Sequence, residues 1–366
     1  MSGDRQSTLV ALWTPAGRSA LATLIVDGPD AVRIARDLFH PARRIPRFGE
    51  EIAHYYGHFG RDVPDDVVLA VVRPGRTVEI HCHGGPAVVE SLIEQIRSAG
   101  ASPASWRESA RRQGWSQNRI EAAEALARAG APKAAAILLD QYQGALDRAF
   151  KTIEETRDRR LAEGLLQWRR VGRRLVDGWR VALLGRPNVG KSSLFNAVVG
   201  YERVIVSPTA GTTRDAIEVE AVFDGWPVRL CDGAGLRETR DLVEQAGVER
   251  IRTWARSADV RVLLRDASEP PCLEDDALIR ELSPHLVIAA KSDLPSPWKS
   301  EDFGRVDLTT SATTGEGVAE LIDRIVREFA PKAIQVGQAV PFTDRQFEWL
   351  ERRADPQFDW AGGPGD

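Results

Sequence analysis

The sequence predicts an α/β P-loop domain with a mixed, mostly parallel sheet, preceded by a small α+β domain and a helical segment. Three observations carry that prediction. From Trp179 to about Ala330, strand-like apolar runs alternate with helical stretches, the pattern of a parallel sheet covered on both faces. Inside that region "RVALLGRPNVGKSSLFNAVVG" runs as apolar strand, glycine-rich loop and helix. Ahead of it, from about Trp106 to Val176, an Ala-, Arg- and Glu-rich stretch has helical periodicity and few breakers. The chain therefore divides into an α+β part at 1–105, a helical segment at 106–178, the α/β part at 179–330 and a short C-terminal remnant at 331–366.

In the first part "TLVALW" and "LATLIV" read as strands flanking a "TPAGRS" turn, and "PDAVRIARDLF" as an amphipathic helix. "DDVVLAVV" and "TVEIHCH" add two strands, and "AVVESLIEQIRSAG" a second helix. His81, Cys82 and His83 alternate faces on their strand, so they cannot all converge on a metal, and the tract reads as structural. Residues 120–161 read as a helical hairpin broken at Gly130 and Pro132. The basic stretch "WRRVGRRLVDGWR" reads first as a solvated helix face and second as an RNA-contact patch. The remnant holds one helix, "DRQFEWLERRA", before a Pro/Gly-rich end expected to be disordered.

Composition narrows the classes. Lys plus Arg is 49 against 53 Asp plus Glu, so no overall basic charge advertises nucleic-acid binding. The longest apolar run, "VVLAVV", falls far short of the roughly 18 residues that span a bilayer. The N-terminus lacks a secretory pattern, and the widely spaced Cys82, Cys231 and Cys272 argue against a disulfide framework. A soluble, cytoplasmic protein without membrane contact is expected.

The glycine-rich loop has the spacing Gly185-x-x-x-x-Gly190-Lys191-Ser192. Its backbone N–H groups, those of Asn188, Val189, Gly190 and Ser193 among them, are expected to cradle phosphates at the helix N-terminus. Lys191 would reach the β- and γ-phosphates, and Ser192 would ligate Mg²⁺. Thr213, in "SPTAGTTRD", is placed to complete the Mg²⁺ shell when a γ-phosphate is present. A hairpin turning at Asp224-Gly225 leads to Asp232-x-x-Gly235. There Asp232 would face Mg²⁺ through water and the Gly235 N–H would sense the γ-phosphate.

"VIAAKSDLP" nearly matches the Asn-Lys-x-Asp pattern that reads guanine, with Ala290 where the Asn belongs. Asp293 can accept from guanine N1–H and its exocyclic amine, a donor pair adenine lacks. Lys291 would cover the base and brace the phosphate loop. Ala290 should cost on the order of one or two kcal/mol in lost hydrogen bonds without removing the selecting carboxylate. Ser311-Ala312, in "TTSATTGEG", would support the base through its backbone. The ligand these motifs imply is GTP.

"GRPNVGKSSLFNAVVG", "AGTTRD", "DGAGLRET" and "SATTGEGV" resemble the bacterial tRNA-modification GTPase family MnmE, also called TrmE. The resemblance extends to "TPAGRSALATLIVDGPDAV" and "VEIHCHGGPAVVESLIEQIRSAGA", and is weakest in the helical segment. Era- and Der-type GTPases share some α/β motifs but would not explain the first domain. The resemblance implies a P-loop GTPase domain activated by K⁺ on homodimerisation, not by an arginine finger. Asn188 matches the family's K⁺-binding Asn, and Ser207, Thr209 and Thr212 fall in its potassium loop. Leu236 follows the Asp-x-x-Gly motif and cannot orient water; Glu244 matches the family Glu that does.

The resemblance further implies action on the wobble uridine of tRNA with a flavin-dependent MnmG-type partner, and formyl-tetrahydrofolate in the first domain. Glu79 matches a folate-contacting residue, but Ile25 and Gln117 stand where the family has Arg and Lys. Those replacements make retention of folate doubtful, and the tail lacks the family's C-terminal Cys-x-Gly-Lys, which bears on the modification step. Gly233 replaces the Thr of "DTAG", and Arg261 and Arg265 interrupt an apolar strand, as at an altered interface or a sheet edge. Two readings follow: a K⁺-dependent GTPase of this kind, or a divergent paralogue serving as a GTP-dependent binding or switch module without tRNA-modifying chemistry.

Overall fold

The computed structural model describes residues 7–44, 47–61, 64–202, 204–206, 218–232, 255–296, 302, 304–331, 334–358 and 360. The chain forms two compact units, Met1–Ile120 and Glu121–Asp366.

The first unit is built on a seven-stranded sheet of β1 (Leu9–Leu12), β2 (Leu21–Asp27), β3 (Phe39–Pro41), β4 (Ala53–Phe59), β5 (Asp65–Arg73), β6 (Thr77–His83) and β7 (Ser102–Pro103). The order is β3-β4-β5-β6-β2-β1-β7, antiparallel apart from the β1–β7 pair. Leu24, Val26, Leu69, Val71, Val78 and Ile80 share one core with Ile34 and Leu38 of helix α1 (Ala31–Leu38) and Leu92 and Ile96 of α2 (Pro86–Ser98). Strands β3 and β4 were not legible in the sequence, because "AHYYGHF" offers His and Tyr instead of an apolar run. On β6 the period of two puts Cys82 in the core, while His81 reaches Thr23 and Glu79 and His83 reaches Asp65. Helix α3 (Trp106–Arg112) follows, and α4 (Gln117–Ala127) leads into the second unit.

In the second unit the expected hairpin is cut more often. α5 (Pro132–Tyr142), α6 (Ala145–Thr156) and α7 (Arg159–Leu166) are separated at Gly144 and Arg157, both left-handed, with φ of 91° and 55°. Short helices α8 (Arg169–Gly172) and α9 (Arg174–Asp177) lead to the second sheet. That sheet runs β14-β13-β12-β8-β11-β10-β9, with β8 (Trp179–Leu184), β9 (Ile205–Val206), β10 (Glu218–Phe223), β11 (Trp226–Asp232), β12 (Val260–Asp266), β13 (Leu286–Ala290) and β14 (Leu308–Thr310). Its pairs are parallel except those made by β10. The β10–β11 hairpin turns at Asp224-Gly225, both at positive φ, the conformation that residue pair favours. Residues of α10 (Lys191–Val199) and α12 (Val318–Phe329) join the core on one face, and Leu282 of α11 (Leu273–Leu282) packs on the other.

Two expectations change. Strand β12 is central, so Arg261 and Arg265 do not mark an edge. Arg261 donates to the carbonyls of Leu282 and Ser283, and Arg265, 2 % exposed, pairs with Asp276 in the first turn of α11. The basic helical stretch is not simply solvated either. Arg169 and Arg173 pair with Glu351 and Asp344 of α13 (Asp344–Ala354) and lie over Phe347, while Arg174 pairs with Asp259. Trp349 of α13 stacks on Phe150 at 4.0 Å.

Candidate functional site

The phosphate loop joins the C-terminal end of central strand β8 to α10. Gly185 has φ 144°, and a Cβ there would lie 2.7 Å from the Leu264 carbonyl oxygen, so only glycine lets the loop pass under β12. Asn188 at φ 61° and Gly190 at φ 100° supply two more left-handed steps, which Asn and Gly accept at least cost. These steps bring the chain to α10, whose first-turn N–H groups have no intrahelical acceptors. Ser192 and Ser193, on that turn, are exposed, as is Asn188; Val189 is buried in the core.

Lys191 is 5 % exposed, and its Nζ donates to the carbonyls of Gly185 at 3.0 Å and Arg186 at 2.6 Å. Burial pushes its ammonium pKa down, opposed by the negative Asp232 nearby. Asp232 ends β11, beside Leu183 of β8, and is 4 % exposed. Neither of its carboxylate oxygens has a hydrogen-bond partner among the described residues. A buried carboxylate without partners costs several kcal/mol, on the order of 1–3 per unmet group, unless a cation shell meets it. The two unmet carboxylate oxygens are of the kind that a hydrated Mg²⁺ satisfies, and Ser192 and Asp232 are the described residues that would hold it. Thr213 and Gly235, the other expected members, lie outside the described residues, as do Ser207, Thr209, Thr212 and Glu244.

The base loop leaves the end of β13. Asp293 Oδ1 accepts from Ser311 Oγ at 2.6 Å, and Ser311 Oγ in turn accepts from Thr314 N–H at 3.1 Å. Ser311 is fully buried, so it fixes Asp293 from below while Asp293 itself stays exposed. Ala312, next in the chain, is half-buried. Lys291, at φ 62°, pairs with Asp266 at the end of β12, and its stem lies 3.7–3.9 Å from the position a Gly190 Cβ would take. Strands β8, β11, β12 and β13 thus deliver Lys191, Asp232, Asp266 and Lys291 from the same end of the sheet, where ligands bind in open α/β folds.

Sequence reasoning missed a brace behind this loop. Arg186 Nε donates to Asp275 Oδ1 at 2.9 Å, and its Nη2 to Glu269 at 3.3 Å. Asp275 is 2 % exposed, and its burial pushes that carboxyl above the usual range even beside Arg186. The only sequence signal was the acidic first turn of α11, which reads equally as helix-dipole complement. In the first unit, Glu79 faces Ile25 across the β2–β6 pair, and Ile25 is 1 % exposed. The position at which the family carries Arg is thus buried and apolar here. The residues present do not fit the family's folate set.

The model for the 50S ribosome-binding GTPase family matches residues 180–291, and the GTP-binding protein TrmE N-terminus model matches residues 8–114. The tRNA modification GTPase MnmE of Synechococcus sp. is 35% identical over 373 residues, covering 88% of this chain and 81% of that protein. The protein of that name from Listeria welshimeri is 32% identical over 388 residues, covering 91% and 84%. Its Aquifex aeolicus counterpart is 32% identical over 368 residues, covering 87% and 81%. Among the described residues no helix is long and apolar enough to cross a membrane.

Proposed function

Because the chain belongs to the tRNA modification GTPase MnmE family, we propose that it hydrolyses GTP at the loop cluster of the second unit and acts in modification of the tRNA wobble uridine. The observation that carries the nucleotide reading is that, among the described residues, neither carboxylate oxygen of buried Asp232, beside Lys191, has a hydrogen-bond partner. Mg²⁺ bound there would neutralise charge on the transferring phosphoryl group. Lys191 would exchange the carbonyls of Gly185 and Arg186 for phosphate oxygens. Asp293, held by Ser311, would accept the two guanine donors.

The finer assignments belong to the same reading. Asn188 with Ser207, Thr209 and Thr212 would hold K⁺ and offset developing negative charge. Thr213 would complete the Mg²⁺ shell, the Gly235 N–H would sense the γ-phosphate and Glu244 would orient the attacking water. The working unit is a homodimer, with a flavin-dependent MnmG-type partner sharing the tRNA. A second reading is favoured by Ile25 opposite Glu79: a GTP-dependent switch that has lost the folate step.

The test is GTP hydrolysis by the purified protein in potassium chloride against sodium chloride, with excess ATP as competitor. Potassium-dependent turnover that ATP does not suppress supports the reading; no turnover in either salt sinks it. A mass shift on wobble uridine that persists when the gene is deleted would leave only the switch.

A further inference from the structure

Position 290 leaves a gap in the polar wiring of the base loop. Ala290 is 4 % exposed and lies in one buried apolar cluster with Val189 of the phosphate loop. Its register partner across the β13–β14 pair is Thr310. Thr310 is fully buried, and its Oγ1 has no hydrogen-bond partner among the described residues. An Asn at 290 could meet that hydroxyl and reach toward the phosphate loop; an Ala can do neither.

The structure offers a second route between the same two loops. Asp266, 3 % exposed, takes Lys291 on Oδ2 and both the N–H and the hydroxyl of Ser268 on Oδ1. The main chain repeats the link one residue on, where the Ala267 N–H donates to the Ala290 carbonyl at 2.9 Å. The Lys291 stem then runs beside Gly190, so a carboxylate at the end of β12 fixes a side chain that bridges base loop and phosphate loop.

We propose that Asp266 is a positioning residue which, by fixing Lys291 beside Gly190, supplies the link between base loop and phosphate loop that an asparagine at position 290 would otherwise make. The proposal rests on the nucleotide reading above. Asp266 touches no nucleotide in this scheme; it acts through Lys291. Its loss therefore weakens nucleotide binding before it slows chemistry.

The experiment follows release of a fluorescent GDP analogue from the full chain and from Asp266→Ala, Asp266→Asn, Ala290→Asn and the Asp266→Ala/Ala290→Asn double variant. Asp266→Ala should speed release on the order of tenfold or more, the loss expected for a hydrogen bond to a charged group. It should raise KM for GTP while kcat stays within about twofold, the signature of lost uniform binding. Ala290→Asn should recover most of that loss in the Asp266→Ala background and change release little on its own, a coupling that independent sites do not show. Asp266→Asn keeps an acceptor for Ser268 and removes only the charge, so it carries the test with a smaller effect of the same sign if the alanine variant does not fold. Unchanged release in both Asp266 variants, or the same gain from Ala290→Asn in both backgrounds, overturns the proposal and leaves the nucleotide site standing. Failure of the unmodified chain to bind the analogue overturns both.

Discussion

At the phosphate loop, the contacts end on main chain: Gly185 slides beneath the Leu264 carbonyl, and the Lys191 side chain ties back to the carbonyls of Gly185 and Arg186. At the base loop, side chains hold side chains: Lys291 on Asp266 and Asp293 on Ser311. A loop that passes this close to backbone tolerates few residues at its tightest point, because a Cβ at Gly185 would stand where the Leu264 carbonyl already is. A loop built from side chains can lose one partner and lean on another, which is how Ala290 is accommodated. The first kind of site announces itself as glycines at fixed spacing. The second is written in residues far apart in the chain.

The sharpest way to break this comparison is Lys191→Ala. Removing the cation proposed to reach the phosphates should cut GTP hydrolysis by at least about 10²-fold, read by phosphate release at saturating GTP. Asp293→Asn comes next: the mismatched amide should weaken GTP by about 2 kcal/mol or more and narrow the preference over ATP, read by competitive titration. An unchanged GTP-to-ATP ratio would mean that base reading lies elsewhere. Gly185→Ala tests the backbone side directly. Its Cβ meets the Leu264 carbonyl, so the folded state should lose about 1–3 kcal/mol, visible as a lower melting temperature without nucleotide. Smallest is Lys133→Ala, which removes an ion pair to Asp224 whose partners are 46% and 65% exposed; urea unfolding should shift by less than about 1 kcal/mol.

The contrast also explains what the sequence could and could not yield. The strand–loop–helix around Gly185, the Asp224-Gly225 turn and the helix at Asp344–Ala354 were legible because each rests on local rules: positive φ, helical periodicity, or a cap such as the Thr343–Gln346 box. Asp266 was not, because its role depends on Lys291 arriving from another strand. Arg265 read as an altered interface or a sheet edge until α11 brought Asp276 to it. Strand β4 escaped for a different reason: its exposed positions, His54, Tyr56 and His58, alternate with Tyr55 and Gly57, a pattern in which hydropathy gives little contrast. The helical segment was read with too few breaks, since Arg157 is a residue from which no left-handed step is anticipated.

Helix α13 has a practical consequence. Motif boundaries invite trimming the chain near Ala330, just past α12. Yet Pro341 O lies so close to Gly172 that a Cβ there would sit 1.8 Å from it, and Leu350 shares a core with Leu146, Phe150 and Ile153. A trimmed chain would bare that greasy seam and strand Arg169 and Arg173 without their acids. Such a fragment is expected to elute as aggregate on gel filtration even though every nucleotide motif is intact. Whoever trims the chain past α12 while keeping the helical segment should therefore carry the last helix along, or replace its apolar footprint on α6 with polar side chains.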